Sequence, residues 1–265
     1  MKFNLAENLT ELRVKSPLVH NITNFVVMNY TANALLAIGA SPVMAHAIEE
    51  VEDMVAIAGA LVINIGTLSP AWVEGMKRAM LAAVKFGKPI ILDPVGAGAT
   101  AYRNITLTEL LNTASPTLIR GNASEILALA GSNIQTKGVD STASSMDSLQ
   151  AAKLLSEKYG CVVSVSGATD VIVSGEKEAY VDNGVSLMTK VTGMGCSASA
   201  IAGSFFAIQP DGFEAAVSAA AMMGLCGEKA FEKAKSPGSF QIAFLDLLSE
   251  LSPEELEELA VVRLL

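Results

Sequence analysis

The chain has 265 residues, 51% of them hydrophobic and 17% charged, which gives one large domain or two small ones ample core to bury. A net charge of −9 and an isoelectric point near 4.8 argue against a nucleic-acid or anionic-membrane surface, because phosphate backbones reward clustered Lys and Arg and no basic cluster occurs. The three cysteines, Cys161, Cys196 and Cys226, show no CxxC spacing, so neither a disulfide framework nor a zinc knuckle is expected and a reducing cytoplasm fits best.

The opening "MKFNLAENLTELRV" interleaves acids and polar residues and lacks the apolar core of a signal peptide, which predicts no export. The first apolar run, "PLVHNIT", reads as a strand closed by His20, Asn21 and Asn24. A short run follows and presents Met44 and His46, the methionine either as core packing or as a soft wall for a flat ligand. The two histidines are too few and too far apart to announce a metal site. Glu49 to Ala58 has helical periodicity, "ALVINIG" is strand-like, and Pro70 to Phe86 is helical again.

"KPIILDPV" places Asp93 at the end of a buried strand, where Pro94 and two glycines turn the chain away. A carboxylate there suits Mg²⁺, which one or two acids hold together with substrate phosphates, or it caps the turn. "PTLIRGN" ends at Arg120 and Asn122. Arg120 is a forked donor for phosphate or half of a structural ion pair. Asn122-Ala-Ser-Glu125 has the spacing of a helix start with an acid at its third position, and Glu125 reads equally as that cap or as a second acid beside the metal. Thr136 to Ser145 is the best loop candidate.

Ser145 to Tyr159 is predicted helical, "GCVVSVSG" is a strand, and "DVIVSGEKEAYVD" is a hairpin turning at Ser174-Gly175. From Cys196 onward the tail reads as almost wholly helical, through Ser197 to Phe206, Gly212 to Lys235 and Ser252 to Val261. Its apolar runs fall short of a bilayer span and are rich in Ala, Gly and Ser, as in closely packed core helices. No linker or repeat divides residues 1–265, which predicts a single domain. Near-continuous apolar strands alternating with helices predict a three-layer α/β/α fold with a mostly parallel sheet. Ligands of such sheets lie beyond the carboxyl ends of the strands, so the polar residues closing the runs are candidates as a set.

Between hairpin and tail stands "VTGMGCSASA", which satisfies G-x-G-x-x-A over Gly193 to Ala198. It lies far from a first βα turn, and Glu214, at the right distance for a ribose-binding acid, falls in a helical stretch. The glycines read better as an anion-binding turn whose backbone N–H groups and following helix face a phosphate.

Four stretches, "HNITNFVVMNYTANALLAIGASPVMA", "DPVGAGAT", "IRGNASEI" and "VTGMGCSASA", in this order and spacing, resemble the hydroxyethylthiazole kinase family of the ribokinase-like superfamily. The resemblance implies transfer of the ATP γ-phosphoryl group to the alcohol of 4-methyl-5-(2-hydroxyethyl)thiazole with Mg²⁺, in a homotrimer with active sites between subunits. A mean hydropathy of +0.44 is compatible with subunit contacts, and a large core of small residues explains it as well.

Matched motif by motif, the resemblance puts Met44 and Gly193 on the thiazole, with Asn24 and Val26 lining its pocket. Arg120 and Ser166 fall on ATP, Asp93 and Glu125 on the metal and phosphates. Gly193, Gly195 and Cys196 form the catalytic anion hole, with Cys196 near the substrate hydroxyl. Met194 departs from the threonine expected between the two glycines. Sugar kinases of the superfamily usually carry an Asp base where Cys196 stands. A thiol suffices as a weak base or hydroxyl-positioning group if the transition state is loose, its pKa lowered by the helix N-terminus; a small residue chosen for packing is the other reading. Rival functions are a kinase for another small alcohol such as a hydroxymethylpyrimidine, a hydrolase using Cys196 with His20 or His46, and a non-catalytic binding protein.

Overall fold

The computed structural model describes residues 3–131 and 148–265. Helix α1 (Leu5–Lys15) leads into β1 (Leu18–Ile22), α2 (Met28–Ile38), β2 (Ser41–Val43), α3 (Val51–Ile57), β3 (Ala60–Asn64), α4 (Pro70–Phe86), β4 (Ile90–Asp93), α5 (Ala101–Thr113), β5 (Leu118–Asn122) and α6 (Ala123–Leu129). Then follow α7 (Leu149–Tyr159), β6 (Val162–Ser166), β7 (Asp170–Ser174), β8 (Lys177–Val181), α8 (Met194–Phe206), α9 (Gly212–Lys233), α10 (Pro237–Glu250), α11 (Pro253–Leu259) and β9 (Val262–Leu264). The nine strands form one sheet in the order β2-β1-β3-β4-β5-β6-β7-β8-β9. Pairs from β2 to β6 are parallel, and the remaining three are antiparallel.

The central strands are apolar on both faces because each face is covered. Val19, Val62, Ile91 and Leu118 pack into a core shared with α1, α2, α8, α9 and α10. Ile22, Leu61, Ile63, Leu92 and Ile119 pack against α3, α4, α5, α6 and α7. This is the three-layer α/β/α arrangement predicted from the uninterrupted apolar runs. Helix α4 matches its predicted limits: Ser69 caps the Trp72 N–H, Pro70 starts the helix, and Gly87 ends it at φ +63°.

Two expectations are corrected. The hairpin loop is Gly175-Glu176 rather than Ser174-Gly175, because Ser174 still completes the ladder opposite Lys177 and Gly175 takes the left-handed conformation (φ +58°) that opens the loop. The tail is not helical to its end. α11 stops at Leu259, and Val262–Leu264 pair with β8 as an edge strand. The predicted loop from Thr136 to Ser145, and the first residues of the helix predicted from Ser145, lie outside the described residues.

The chain leaves β1 through α2 on one face of the sheet and leaves β3 through α4 on the other, with β1 and β3 side by side. The strand order reverses between them. A doubly wound sheet opens a crevice at such a switch point, beyond the carboxyl ends of the two strands. Asn24 follows β1 there and Asn64 ends β3.

Candidate active site

Helix α8 descends onto this edge, and its head follows from its sequence. Gly193 is its N-cap at φ +90°, and no side chain caps the helix. A Cβ on Gly193 would stand 3.1 Å from Val27 Cγ1 and 3.2 Å from Tyr30 Cδ1, so glycine suits both the conformation and the space. The first amides of a helix have no intrahelical acceptor, so a helix headed this way turns a bare set of N–H groups and its positive end toward the crevice. Met194 points the other way. It is buried in the core with Tyr30 Oη 3.8 Å from its sulfur, which removes its side chain from the crevice and leaves the backbone of the turn unaffected.

Asp93 ends β4 with its carboxylate buried. Its Oδ2 accepts from Asn64 Nδ2 at 2.8 Å and from Ser199 Oγ, one turn into α8, at 2.8 Å. Burial and then the nearby Glu125 push this carboxyl up to about 7, against the opposing pull of Arg120 and the two hydrogen bonds. Asn64 Oδ1 accepts from Asn24 Nδ2 at 2.9 Å and from the Gly66 N–H at 2.9 Å. Asn24 Nδ2 also reaches Cys196 Sγ at 3.4 Å.

Cys196 is half-buried on the first turn of α8. Burial foremost, and then the Asp93 carboxylate, push its thiol up to about 11, outweighing Asn64, Asn24 and Arg120. The expected lowering by the helix head is therefore overridden by desolvation and a like charge. Arg120 ends its reach on the same turn, donating from Nη1 to Gly195 O at 3.0 Å. Its charge is felt by Asp93, Glu125 and Cys196 alike.

Glu125 completes a capping box with Asn122, as its spacing predicts. Its Oε1 accepts the Gly96 N–H and its Oε2 the Asn122 N–H, both at 2.9 Å, so it ties the turn after β4 to the start of α6. Burial raises its pKa. Ser166 ends β6 beside β5, its hydroxyl 3.4 Å from Gly121 O. Met44 is half-buried just after β2, while Phe25 and Val26 are 65% and 71% exposed immediately after Asn24.

The structure thus brings Asn24, Asp93, Arg120, Glu125, Gly193, Gly195 and Cys196 to one edge of the sheet, and it separates both histidines from the thiol. His20 alternates with Val19 and shares the face of Ile22, away from α8, with Nε2 2.7 Å from Ala45 O. His46 stacks on Trp72 at 4.3 Å between ring centroids. Neither imidazole is placed to deprotonate Cys196.

Three residues were not singled out by the sequence reading. Asn64 was covered only as one of the polar residues closing the strands. Ser199 is signalled by nothing but its helical offset from Cys196. Arg103 clamps the turns after β3 and β4 through Ile65 O, Val95 O and Gly66 O, a role with no local signature.

A mostly parallel three-layer sheet that sets a bare glycine-headed helix opposite a buried acid is the ribokinase-like fold. A ribokinase-like superfamily protein from Enterococcus faecalis superposes on it with a TM-score of 0.64 at 14% identity, covering 94% of this chain and 89% of the other, a likeness of fold. The sequence profile of the hydroxyethylthiazole kinase family matches residues 9–254, and the chain belongs to that family. A hydroxyethylthiazole kinase of Leptospira biflexa is 58% identical over 255 residues, 96% of each chain. The solved structure of a hydroxyethylthiazole kinase protein from Pyrococcus horikoshii superposes with a TM-score of 0.91 at 42% identity, covering 98% of both.

Proposed function

We propose that this chain is a hydroxyethylthiazole kinase, transferring the γ-phosphoryl group of ATP to the hydroxyl of 4-methyl-5-(2-hydroxyethyl)thiazole. The observation that carries the reading is the uncapped head of α8, with Cys196 hydrogen-bonded to Asn24 and Gly195 to Arg120, in a chain of this family. In the reaction the substrate oxygen bonds to the γ-phosphorus, the bond from that phosphorus to the β–γ bridging oxygen breaks, and the hydroxyl proton is released. Phosphoryl transfer is mostly positioning and charge stabilisation. The amides of Gly193, Gly195 and Cys196 receive the charge of the transferred group. Arg120 and Ser166 hold ATP, and Met44, Asn24, Val26 and Gly193 hold the thiazole. The Cys196 thiol, protonated at neutral pH, positions the hydroxyl and is at most a weak base.

Asp93 and Glu125 are the residues that would hold Mg²⁺. They fit it: two buried carboxylates lie close enough for Glu125 to raise Asp93, a strain that a divalent cation relieves. Two acids rather than a closed cage are what Mg²⁺ takes when phosphates and waters supply its other ligands. When bound, the ion neutralises charge on the phosphate oxygens. Both Glu125 oxygens already accept backbone N–H groups, so its share is made with the remaining lone pairs or through water.

We read residues 1–265 as one kinase domain, working in the cytoplasm as a homotrimer with active sites between subunits. The exposed Phe25 and Val26 beside the site support a pocket finished by a neighbouring copy. Among the described residues no helix is long and apolar enough to cross a membrane.

The test is ADP release from ATP and Mg²⁺ with and without the hydroxyethylthiazole, together with mass detection of the phosphate ester. Thiazole-dependent ADP with the matching ester is the expected result. Turnover only with a hydroxymethylpyrimidine or a sugar would move the substrate, and none with any alcohol would leave a binding protein.

A further inference from the structure

Asn64 has no role in the reaction as described so far, yet it joins the two halves of the site. It is 1% exposed, between Asn24 at 4% and Asp93 at 3%. Amide oxygen and nitrogen are told apart only by their partners, and here the partners agree. Asp93 Oδ2 accepts from both Ser199 Oγ and Asn64, so Asn64 turns Nδ2 toward it. The Gly66 N–H only donates, so Oδ1 must lie on the other side. Asn24 then has to offer Nδ2 to Asn64, and its own Oδ1 accepts the Val26 N–H at 3.2 Å, which fixes the same orientation independently. The second hydrogen of Asn24 Nδ2 falls on Cys196 Sγ. Sulfur is the acceptor in that contact. Gly66 is part of the arrangement: a Cβ there would stand 2.6 Å from Asn24 Nδ2 and push the amide off Asn64.

We propose that Asn64 is a positioning residue that sets the direction of the hydrogen bonds across the switch point. Through it the Asp93 carboxylate orients Asn24 as the donor to the Cys196 sulfur, fixing where the thiol stands relative to the substrate alcohol. The inference rests on the kinase reading for its consequence in turnover, and its geometry can be read without turnover. Asn64 acts on the thiol through Asn24 and also lies close enough to help hold the thiol pKa down itself.

The experiment uses the full chain and two readouts. The infrared S–H stretch of Cys196, identified by its loss in Cys196→Ser, reports the hydrogen bonding of that sulfur. Asn64→Ala is expected to shift the band as Asn24→Ala does, with no further shift in the double variant. In turnover, kcat for the thiazole falls about tenfold or more while KM for ATP stays within about twofold. The two substitutions are then strongly non-additive. Should Asn64→Ala fail to fold, Gly66→Ala leaves Asn64 and Asp93 in place and is expected to move the same band by displacing Asn24. An unmoved S–H band in either folded variant, or additive losses in kcat, would overturn the proposal and leave Asn64 a packing residue. A shifted band in a protein that phosphorylates no alcohol would instead overturn the kinase reading and keep the relay.

Discussion

The Cys196 thiol and the Asp93 carboxyl both keep their protons to higher pH than usual, the thiol to about 11 and the carboxyl to about 7. The thiol, pushed up to about 11 by burial and by Asp93, hydrogen-bonds as a thiol and takes a proton poorly. A loose transition state tolerates this, since the attacking hydroxyl loses its proton late. Cys196→Asp is therefore expected to keep or raise turnover. Cys196→Ala should lower it moderately, by less than the ~10²-fold of a full general base. Initial rates on purified variants check both, and a stable phosphocysteine seen by intact mass would refute the non-covalent role. Asp93 carries a cost instead. Its folded pKa is raised from an ordinary 3.8 to about 7, so its favourable contribution to stability is full below pH 3.8 and is lost as the pH rises through about 7. Asp93→Asn should accordingly raise Tm most above about pH 7 and hardly at all near pH 4. The same substitution should cut turnover on the order of a hundredfold. Thermal melts across that range and one rate measurement test the two halves separately.

At the scale of elements, the head of α8 is a compromise between packing and function. A capping Ser or Asp at position 193 would occupy the amides proposed to receive the phosphoryl group, and any side chain there meets Val27 and Tyr30. Gly193→Ala forces an L-residue to φ +90°, at about 1–2 kcal/mol, and tilts the amides with it. We expect a lower Tm together with a drop in kcat of about tenfold or more, the latter persisting well below the melting temperature. The turns after β3 and β4 depend on another helix. Arg103 of α5 holds three of their carbonyls, so the position of Asp93 depends on a side chain of another helix, whose charge also reaches Glu125.

For the whole molecule, the two crossovers that leave β1 and β3 on opposite faces open the site between them, and the exposed Phe25 and Val26 stand at its rim. Sedimentation equilibrium is expected to return three times 27.5 kDa, with the thiazole stabilising the assembly by binding it in preference to separate chains. A mass of one chain, unchanged by the thiazole, would assign the high hydropathy to the core alone.

The strands of the parallel half were legible because each is a local apolar run ending in a polar or glycine residue. The same signal named Asp93, Arg120 and Asn24 as a set, since strand ends share one edge in such sheets. The glycine-headed α8 and the capping box of Glu125 were also local patterns, and family resemblance supplied the chemistry for them. What the sequence did not contain is partnership. Asn24 meets Cys196 across 172 residues of chain, Ser199 meets Asp93 across 106, and Asn64 meets Asp93 across 29. His20 is turned away from the thiol only because alternate residues of β1 face different helical layers. Local patterns follow from backbone preference and the alternation of side chains along a strand. The direction of the amide chain and the high pKa of the thiol depend on which strands become neighbours and on the exclusion of water between them, and the tertiary structure alone decides both.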